Sequence, residues 1–121
     1  MERVLRFEGD GAQDKFDKVW EGFTFGTRLD QQRRQSQGAP DKELQRRRAS
    51  LARKLKGMTV ESKRLIAGNV AYRDLHEECE LVLDQQELAL LVKTMEETEW
   101  LPEHLDIAFG IIDWVDAADK R

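Results

Sequence analysis

His76 and Cys79 have the H-x-x-C spacing that two zinc ligands can have. His104 completes the set of soft ligands, because the sequence holds two histidines and one cysteine. A structural zinc site needs four ligands and usually has more cysteine, so carboxylates would have to complete this one. The pattern favours Cys79 as a small packing residue and both histidines as surface groups. We therefore predict neither a metal site nor a cofactor.

A run of carboxylates near the C-terminus could hold a hard cation or supply a general acid and base. Its members are Glu96, Glu97, Glu99, Glu103 and Asp106. They lack the D-x-D-x-D-G spacing of a calcium loop. The run is more typical of solvated helix ends, where Glu103 would also complement the positive dipole at the start of a helix.

Nucleophile and phosphate-binding motifs are equally weak. Ser36, Ser50 and Ser62 have no nucleophile-elbow sequence around them. The glycines do not form a P-loop or a dinucleotide-binding pattern. We predict that the protein is not an enzyme, since a hydrolase built on the acids and histidines would need a convergent pocket that the sequence does not indicate.

Basic side chains dominate a helix predicted to begin at Asp41 and to end at Gly57. One arc of this helix carries six cations, Lys42, Arg46, Arg47, Arg53, Lys54 and Lys56. Such an arc could contact phosphates, but no aromatic residues interleave with the charges and the whole chain has a net charge of −4. Docking onto acidic protein, including this chain's own C-terminal half, is the favoured interpretation. Nucleic-acid binding through residues 42–56 is the alternative.

Arg48 differs from these cations because it projects from the apolar side of the same helix. Leu44, Arg48, Leu51, Leu55 and Met58 follow the 4-3-4-3 spacing of a coiled-coil seam, in which one charged position can set register or oligomeric state. The spacing fits equally well an intramolecular packing face from which Arg48 extends its guanidinium to water.

Trp100 lies beside Leu101 and Pro102 in a predicted turn. An exposed aromatic rimmed by glutamates is typical of a hot spot for a protein partner, although we slightly favour the interpretation that Trp100 caps the C-terminal helices from within. The predicted partner-binding residues are Arg46, Arg47, Arg48, Arg53, Lys54 and Trp100.

The N-terminal third is predicted to contain a strand and a short helix. Residues 3–7 include Val4, Leu5 and Phe7 and are followed by the turn residues Gly9-Asp10-Gly11, which indicates a strand. Helical spacing then runs from Ala12, and Gly22 is predicted to end this helix before a brief strand or loop at residues 23–25. Residues 30–40 hold no apolar residue before Ala39, so we expect a flexible loop or linker there.

The middle of the chain is ambiguous between two structures. Residues 60–67 fit a short helix ended by Gly68 and Asn69, which we favour slightly, while residues 64–66 and 70–72 also fit the arms of a hairpin. Alternation over residues 79–83 predicts a strand, for which the N-terminal strand is a candidate partner.

Two helices are predicted at the C-terminus. Asp84 and Glu87 have capping-box spacing at the start of the first, and Pro102 fits the first turn of the second. The last helix has two apolar stripes, one of Leu105, Ala108, Phe109, Ile112 and Val115 and one of Ile107, Ile111, Trp114 and Ala118. The second stripe must be covered by residues 12–23, by residues 41–58 or by a partner.

The composition suits one domain over residues 1–121. One cysteine excludes an internal disulfide, and no stretch has the apolar length of a membrane span, so we expect a cytoplasmic protein with no membrane contact. The net charge is −2 over residues 1–27, +8 over residues 28–64 and −10 over residues 65–121. This asymmetry raises the question of whether the chain binds nucleic acid or associates with a second copy of itself.

The predicted fold is α+β and predominantly helical, with a C-terminal antiparallel helix pair, a small N-terminal strand element and a central basic helix. The predicted function is that of a non-enzymatic interaction or regulatory protein, a small adaptor or inhibitor. It would bind a protein partner through its charged helical surfaces, form a homo-oligomer, or bind nucleic acid.

Overall fold

The computed structural model describes residues 1–66, 70–76 and 79–120, and within them it has four α-helices and two small antiparallel sheets. The α+β class and the excess of helix are as predicted. The order is β1 (Glu2–Phe7), α1 (Ala12–Ser36), α2 (Lys42–Gly57), β2 (Thr59–Ile66), β3 (Val70–Leu75), β4 (Cys79–Asp84), α3 (Gln85–Glu97), α4 (Leu105–Asp116) and β5 (Asp119–Lys120), with a 3₁₀ turn at Pro102–His104 before α4.

The first sheet confirms the pairing predicted for the N-terminal strand. β1 lies antiparallel to β4, from Arg3 opposite Leu83 to Phe7 opposite Cys79, and β5 pairs with the other edge of β1. Leu5 and Phe7 are buried in the core with Leu81 and Leu83. Because side chains alternate across a strand, burial of one face of each strand sets this register.

The first helix is much longer than predicted, and Gly22 does not end it. α1 continues through residues 23–25, which form neither strand nor loop, to Ser36. Gly22 and Gly26 serve instead to bring α1 close to α3. A Cβ on Gly22 would lie 3.0 Å from Cγ of Met95, and one on Gly26 would collide with the Thr94 carbonyl oxygen.

The predicted flexible loop at residues 30–40 is wrong for residues 30–36, which are the last two turns of α1. The charge of Asp30 does not mark a flexible segment, because Asp30 is only 5% exposed and forms ion pairs inside the protein. The connection to α2 is confined to residues 37–41. Gly38 adopts the left-handed backbone there, with φ of 66°, and the Asp41 side chain caps α2.

Residues 59–66 and 70–75 form two paired strands, not the favoured short helix. β2 and β3 pair from Thr59 opposite Leu75 to Ile66 opposite Val70, and the proposed Gly68-Asn69 helix end lies outside the described residues. Side chains of α1 satisfy the outer edge of β3. Gln13 donates to the Arg73 carbonyl at 2.8 Å and accepts from the Leu75 amide at 2.8 Å, and Trp20 Nε1 donates to the Ala71 carbonyl at 3.1 Å. These long-range contacts stabilise strand where local spacing indicated helix.

The C-terminal elements begin where the capping signals predicted. The Asp84 carboxylate accepts from the Glu87 amide at 2.7 Å, and the Glu87 carboxylate accepts from the Asp84 amide at 3.0 Å, which completes the capping box of α3. Pro102 starts the 3₁₀ turn that leads into α4. Both signals are local, and the structure uses both.

The two apolar stripes of α4 are only partly covered. Ala108, Ile112 and Val115 are buried, and Trp114 packs edge-on against Phe7 at 5.3 Å. Helix α1 covers the other side of Trp114, where Lys15 Nζ lies 4.7 Å from the ring centre. Three members of the predicted stripes remain exposed, at 40% for Leu105, 55% for Ile107 and 47% for Phe109.

Candidate protein-binding groove

The cations of α2 fall into four groups according to their contacts. Arg47 pairs with Glu43 at 3.4 Å along the exposed helix surface. Lys54 donates to Glu87 at 2.7 Å and to the Val82 carbonyl at 3.3 Å, so it joins α2 to the start of α3. Arg46 and Arg53 are exposed, and within the described part of the chain neither forms an ion pair.

Arg48 forms the fourth group, and its burial contradicts its assignment to a partner surface. It is 4% exposed and donates to the Asp30 carboxylate of α1 at 2.6 Å, and its guanidinium lies 3.8 Å from Glu97 of α3. Arg34 donates to the same carboxylate at 2.9 Å. The guanidinium therefore neither reaches water nor faces another molecule, because an internal carboxylate holds it at the junction of three helices.

The pKa of Asp30 records this pairing. Burial by itself would raise the pKa of the carboxyl group, but the hydrogen bonds from Arg48 and Arg34 outweigh burial, and the pKa is lowered from its ordinary value of 3.8. Asp30 is thus a charged acceptor in the folded protein.

The leucines at the predicted seam, Leu51 and Leu55, are fully buried in the core of the chain, so the seam is intramolecular.

Trp100 is held in a fixed position at the break between α3 and α4. Its Nε1 donates to the Met95 carbonyl at 3.1 Å, which satisfies one of the last acceptors of α3. Its six-membered ring lies against Gly22, whose missing side chain leaves the space it occupies. Trp100 is half-buried, so it both caps α3, as one prediction had it, and presents part of its ring to solvent.

The exposed part of Trp100 lines an open apolar groove of about 470 Å³. Three elements form it: α1 along one wall, the β2–β3 hairpin along the other, and the connection from α3 to α4 at the end. Its apolar lining consists of Phe25 and Leu29 from α1, Leu65, Ile66 and Tyr72 from the hairpin, and Trp100 and Leu101 from the connection. Leu65 is 64% exposed and Leu101 is 57% exposed.

Close helix packing places the walls of this groove. Thr98 is buried and donates to the Gly22 carbonyl at 2.6 Å, which fixes the α3 to α4 connection on α1. With Gly22 and Gly26 facing α3, Phe25 and Leu29 point away from that contact, one turn apart on the groove side. The groove is therefore built on rigid, hydrogen-bonded elements.

Charges rim the groove without filling it. Arg28 and Glu21 lie on the α1 wall, with Arg28 5.8 Å from the centre of the Phe25 ring, and Glu99 lies at the end formed by the α3 to α4 connection. The pKa of Tyr72 is raised, first by burial and then by the negative charges of Glu21 and Asp17. The Tyr72 hydroxyl is therefore a protonated donor at neutral pH. The arrangement can bind an apolar segment and orient its polar atoms.

The other residues considered for chemistry are dispersed. His76 is exposed, and the Cys79 thiol lies 3.7 Å from the Met58 carbonyl. Ser62 is buried, and its hydroxyl accepts from the Arg64 amide at 3.1 Å. Among the residues whose positions are given, no group of three or more histidine, cysteine or carboxylate side chains has the geometry of a metal site.

Sequence reasoning identified Trp100 but missed the other groove residues. For the α1 residues the reason is Gly22. Because the helix is predicted to end at Gly22, the spacing of Phe25, Arg28 and Leu29 cannot be interpreted as one face of a helix. The signal that could have found them is the i, i+4, i+8 spacing of Gly22, Gly26 and Asp30, which places two small residues and an acid on one face of a continuous helix.

Comparison with protein-family models, with curated proteins and with solved structures finds no match to this chain. Over residues 1–66, 70–76 and 79–120, no helix has both the length and the apolar character needed to cross a membrane.

Proposed function

We propose that this chain is a non-enzymatic interaction protein, an adaptor or inhibitor, and that the groove around Trp100 binds an apolar segment of a protein partner. The observation that carries the proposal is the exposed apolar lining of the groove. Leu65 and Leu101 are more than half exposed beside half-buried aromatic rings, in a molecule whose other large apolar side chains mostly pack into one core. Contiguous exposed apolar surface of this kind is typical of binding sites.

The way in which Trp100 is held supports the same function. Binding energy at protein interfaces is concentrated in a few aromatic and arginine side chains within pockets. Trp100 is already ordered by its hydrogen bond to Met95 and by Gly22, so a partner would not have to order it. Tyr72 and Arg28 add a donor and a charge at the walls that could fix the orientation of the bound segment.

A quantitative pull-down from cells of origin tests the proposal. The bait would be compared with a groove variant, Leu65→Gln with Leu101→Gln, and with the control Val60→Gln. Val60 is a matched control because it is an exposed aliphatic residue of β2, 50% exposed, outside the groove. The proposal predicts a partner protein that Val60→Gln retains and the groove variant loses. A partner retained by both variants would contradict it.

Nucleic-acid binding is the second candidate, and the unpaired cations of α2 are the observation that favours it. Lys42, Arg46, Arg53 and Lys56 are exposed and form no ion pair within the described residues. If they contact phosphates, affinity for a labelled duplex should fall steeply with salt, and the slope should decrease when Arg46 and Arg53 become Ala. Arg47 and Lys54 belong in a separate variant, because both are already paired with carboxylates of this chain. Salt-independent affinity, or affinity that both variants retain, would exclude this candidate.

A further inference from the structure

The outer faces of α2 and α4 carry opposite charges and do not meet within the chain. Helix α2 packs on α3 and β2, whereas α4 packs on α1 and α3. The exposed surface of α2 is basic, and α4 contains three aspartates and no basic residue. In the described part of the chain, no ion pair involves Asp106, Asp113 or Asp116.

The unpaired cations of α2 form one straight stripe. Lys42, Arg46, Ala49, Arg53 and Lys56 follow one another at 4-3-4-3 spacing, so they lie along one line of the helix surface, and all five are exposed. Ala49 is the one small residue in the stripe. It leaves a gap in the row of long side chains, between Arg46 and Arg53.

The exposed face of α4 has the complementary stripe. Asp106, Phe109, Asp113 and Asp116 follow 3-4-3 spacing, and all four are exposed. Phe109 is 47% exposed between two carboxylates, and Leu105, which is 40% exposed, lies one turn before it. An exposed aromatic side chain beside an apolar neighbour is surface that gains from being covered.

The two stripes have the same spacing when the helices run parallel. Arg46 then faces Asp106, Ala49 faces Phe109 and Arg53 faces Asp113, each pair offset by 60 residues in the sequence, and Lys56 faces Asp116. In the antiparallel direction the alignments that keep the two rows in step place Phe109 opposite Arg53 or Arg46 and a carboxylate opposite Ala49, so only the parallel direction sets the ring at the gap. Equal 3-4 spacing along two helices is also what side-by-side packing at a small crossing angle requires.

We infer that the α4 face of one copy of this protein docks in parallel on the α2 stripe of a second copy, with Phe109 inserted at Ala49 between two Arg–Asp pairs. The partner is a second copy because this chain carries both complementary surfaces and cannot join them internally. A closed two-fold dimer uses the contact twice. Single exposed ion pairs contribute about 0–1 kcal/mol each, so the association depends on several pairs acting together and is sensitive to salt. It is independent of the groove.

Sedimentation velocity with charge-swapped variants tests this inference. At about 20 mM NaCl the wild type should sediment with a mass that rises with concentration towards twice that of the monomer. At about 1 M NaCl, where the Debye length is about 3 Å, it should be a monomer. A variant with Arg46→Glu and Arg53→Glu, and another with Asp106→Lys and Asp113→Lys, should each be monomeric at low salt. Their equimolar mixture should associate again, because each supplies the charge that the other has lost.

Control variants separate this contact from general charge effects and from the groove. Lys63→Glu changes an exposed cation of β2, and Leu65→Gln changes the groove; both should associate like the wild type. Circular dichroism checks that every variant is folded. A wild type that stays monomeric at low salt overturns the inference, whether or not it binds a duplex oligonucleotide through Arg46 and Arg53. Folded swapped variants that associate alone, or that fail to associate when mixed, overturn it as well.

Discussion

Residues 22–30 of α1 have two neighbouring faces that differ in how they are covered. On one face Gly22 and Gly26 lie directly against α3, and Asp30 is paired with Arg48. On the other face Phe25 and Leu29 line an open groove. The first face has small and charged residues and is closed, whereas the second has large apolar residues and is open to solvent. From residue type alone, the apolar face would be expected to be buried and the face with glycines and a charge to be exposed. The open apolar face is therefore the one that requires a functional explanation.

Removal of the Asp30 carboxylate should have the largest effect, on the closed face. In Asp30→Ala the buried Arg48 loses its acceptor at 2.6 Å and keeps only Glu97 at 3.8 Å. We expect a loss of about 3 kcal/mol in the free energy of unfolding, the lower end of the range for a broken buried pair. Urea denaturation measures it. Glu43→Ala at the exposed pair with Arg47 is the control, expected to change stability by less than about 0.5 kcal/mol.

Gly26→Ala should also destabilise the closed face, by about 2–3 kcal/mol, because the new Cβ collides with backbone at the Thr94 carbonyl. Gly110→Ala is the matched control. Gly110 lies within α4 and its Cβ would meet nothing within 4 Å, so alanine should stabilise the protein by about 0.5–1 kcal/mol. Equal effects of the two substitutions would show that the helices are not in close contact at Gly26.

The stability of the closed face should also depend on pH through Asp30. Because the folded-state pKa is lowered from 3.8, the stabilisation is present above about pH 4 and is lost as the pH falls through the folded pKa. Urea midpoints measured from neutral pH down to about pH 2.5 should therefore decrease more for the wild type than for Asp30→Asn. Parallel acid profiles of the two proteins would show that the carboxylate carries no such stabilisation.

On the open face, substitution should leave stability almost unchanged. Leu65→Gln and Leu101→Gln replace side chains that are 64% and 57% exposed, and we expect each to change the free energy of unfolding by less than about 0.5 kcal/mol. The same denaturation experiment measures it. A loss as large as that of Gly26→Ala would mean that these leucines belong to the core and not to a binding site.

Short sequence patterns correctly predicted the elements whose start or extent depends on residues close together in the chain. Alternation at residues 79–83, the capping box at Asp84 and Pro102 all mark elements that the structure contains. The errors arose where distant contacts decide. Gly22 continues a helix because Trp100 and Met95 pack on it, and β2 and β3 are paired strands because Gln13 and Trp20 satisfy the edge of β3.

The same distinction applies to the candidate site. Trp100 could be identified because a tryptophan in a polar turn stands out in the sequence. The remaining groove residues come from separate parts of the chain that only the fold brings together. Its helix spacing puts Arg48 on the apolar side, but nothing in its own helix shows that Asp30, 18 residues earlier, is its acceptor.

The most direct test of the groove is the affinity of the captured partner for matched variants. Isothermal titration calorimetry would compare the wild type, Leu65→Gln with Leu101→Gln, and Val60→Gln, all of nearly equal stability. We predict that the groove variant binds at least about tenfold more weakly, the equivalent of about 1.4 kcal/mol, while Val60→Gln binds like the wild type. Equal affinities for all three proteins would contradict the assignment of the groove as the binding site.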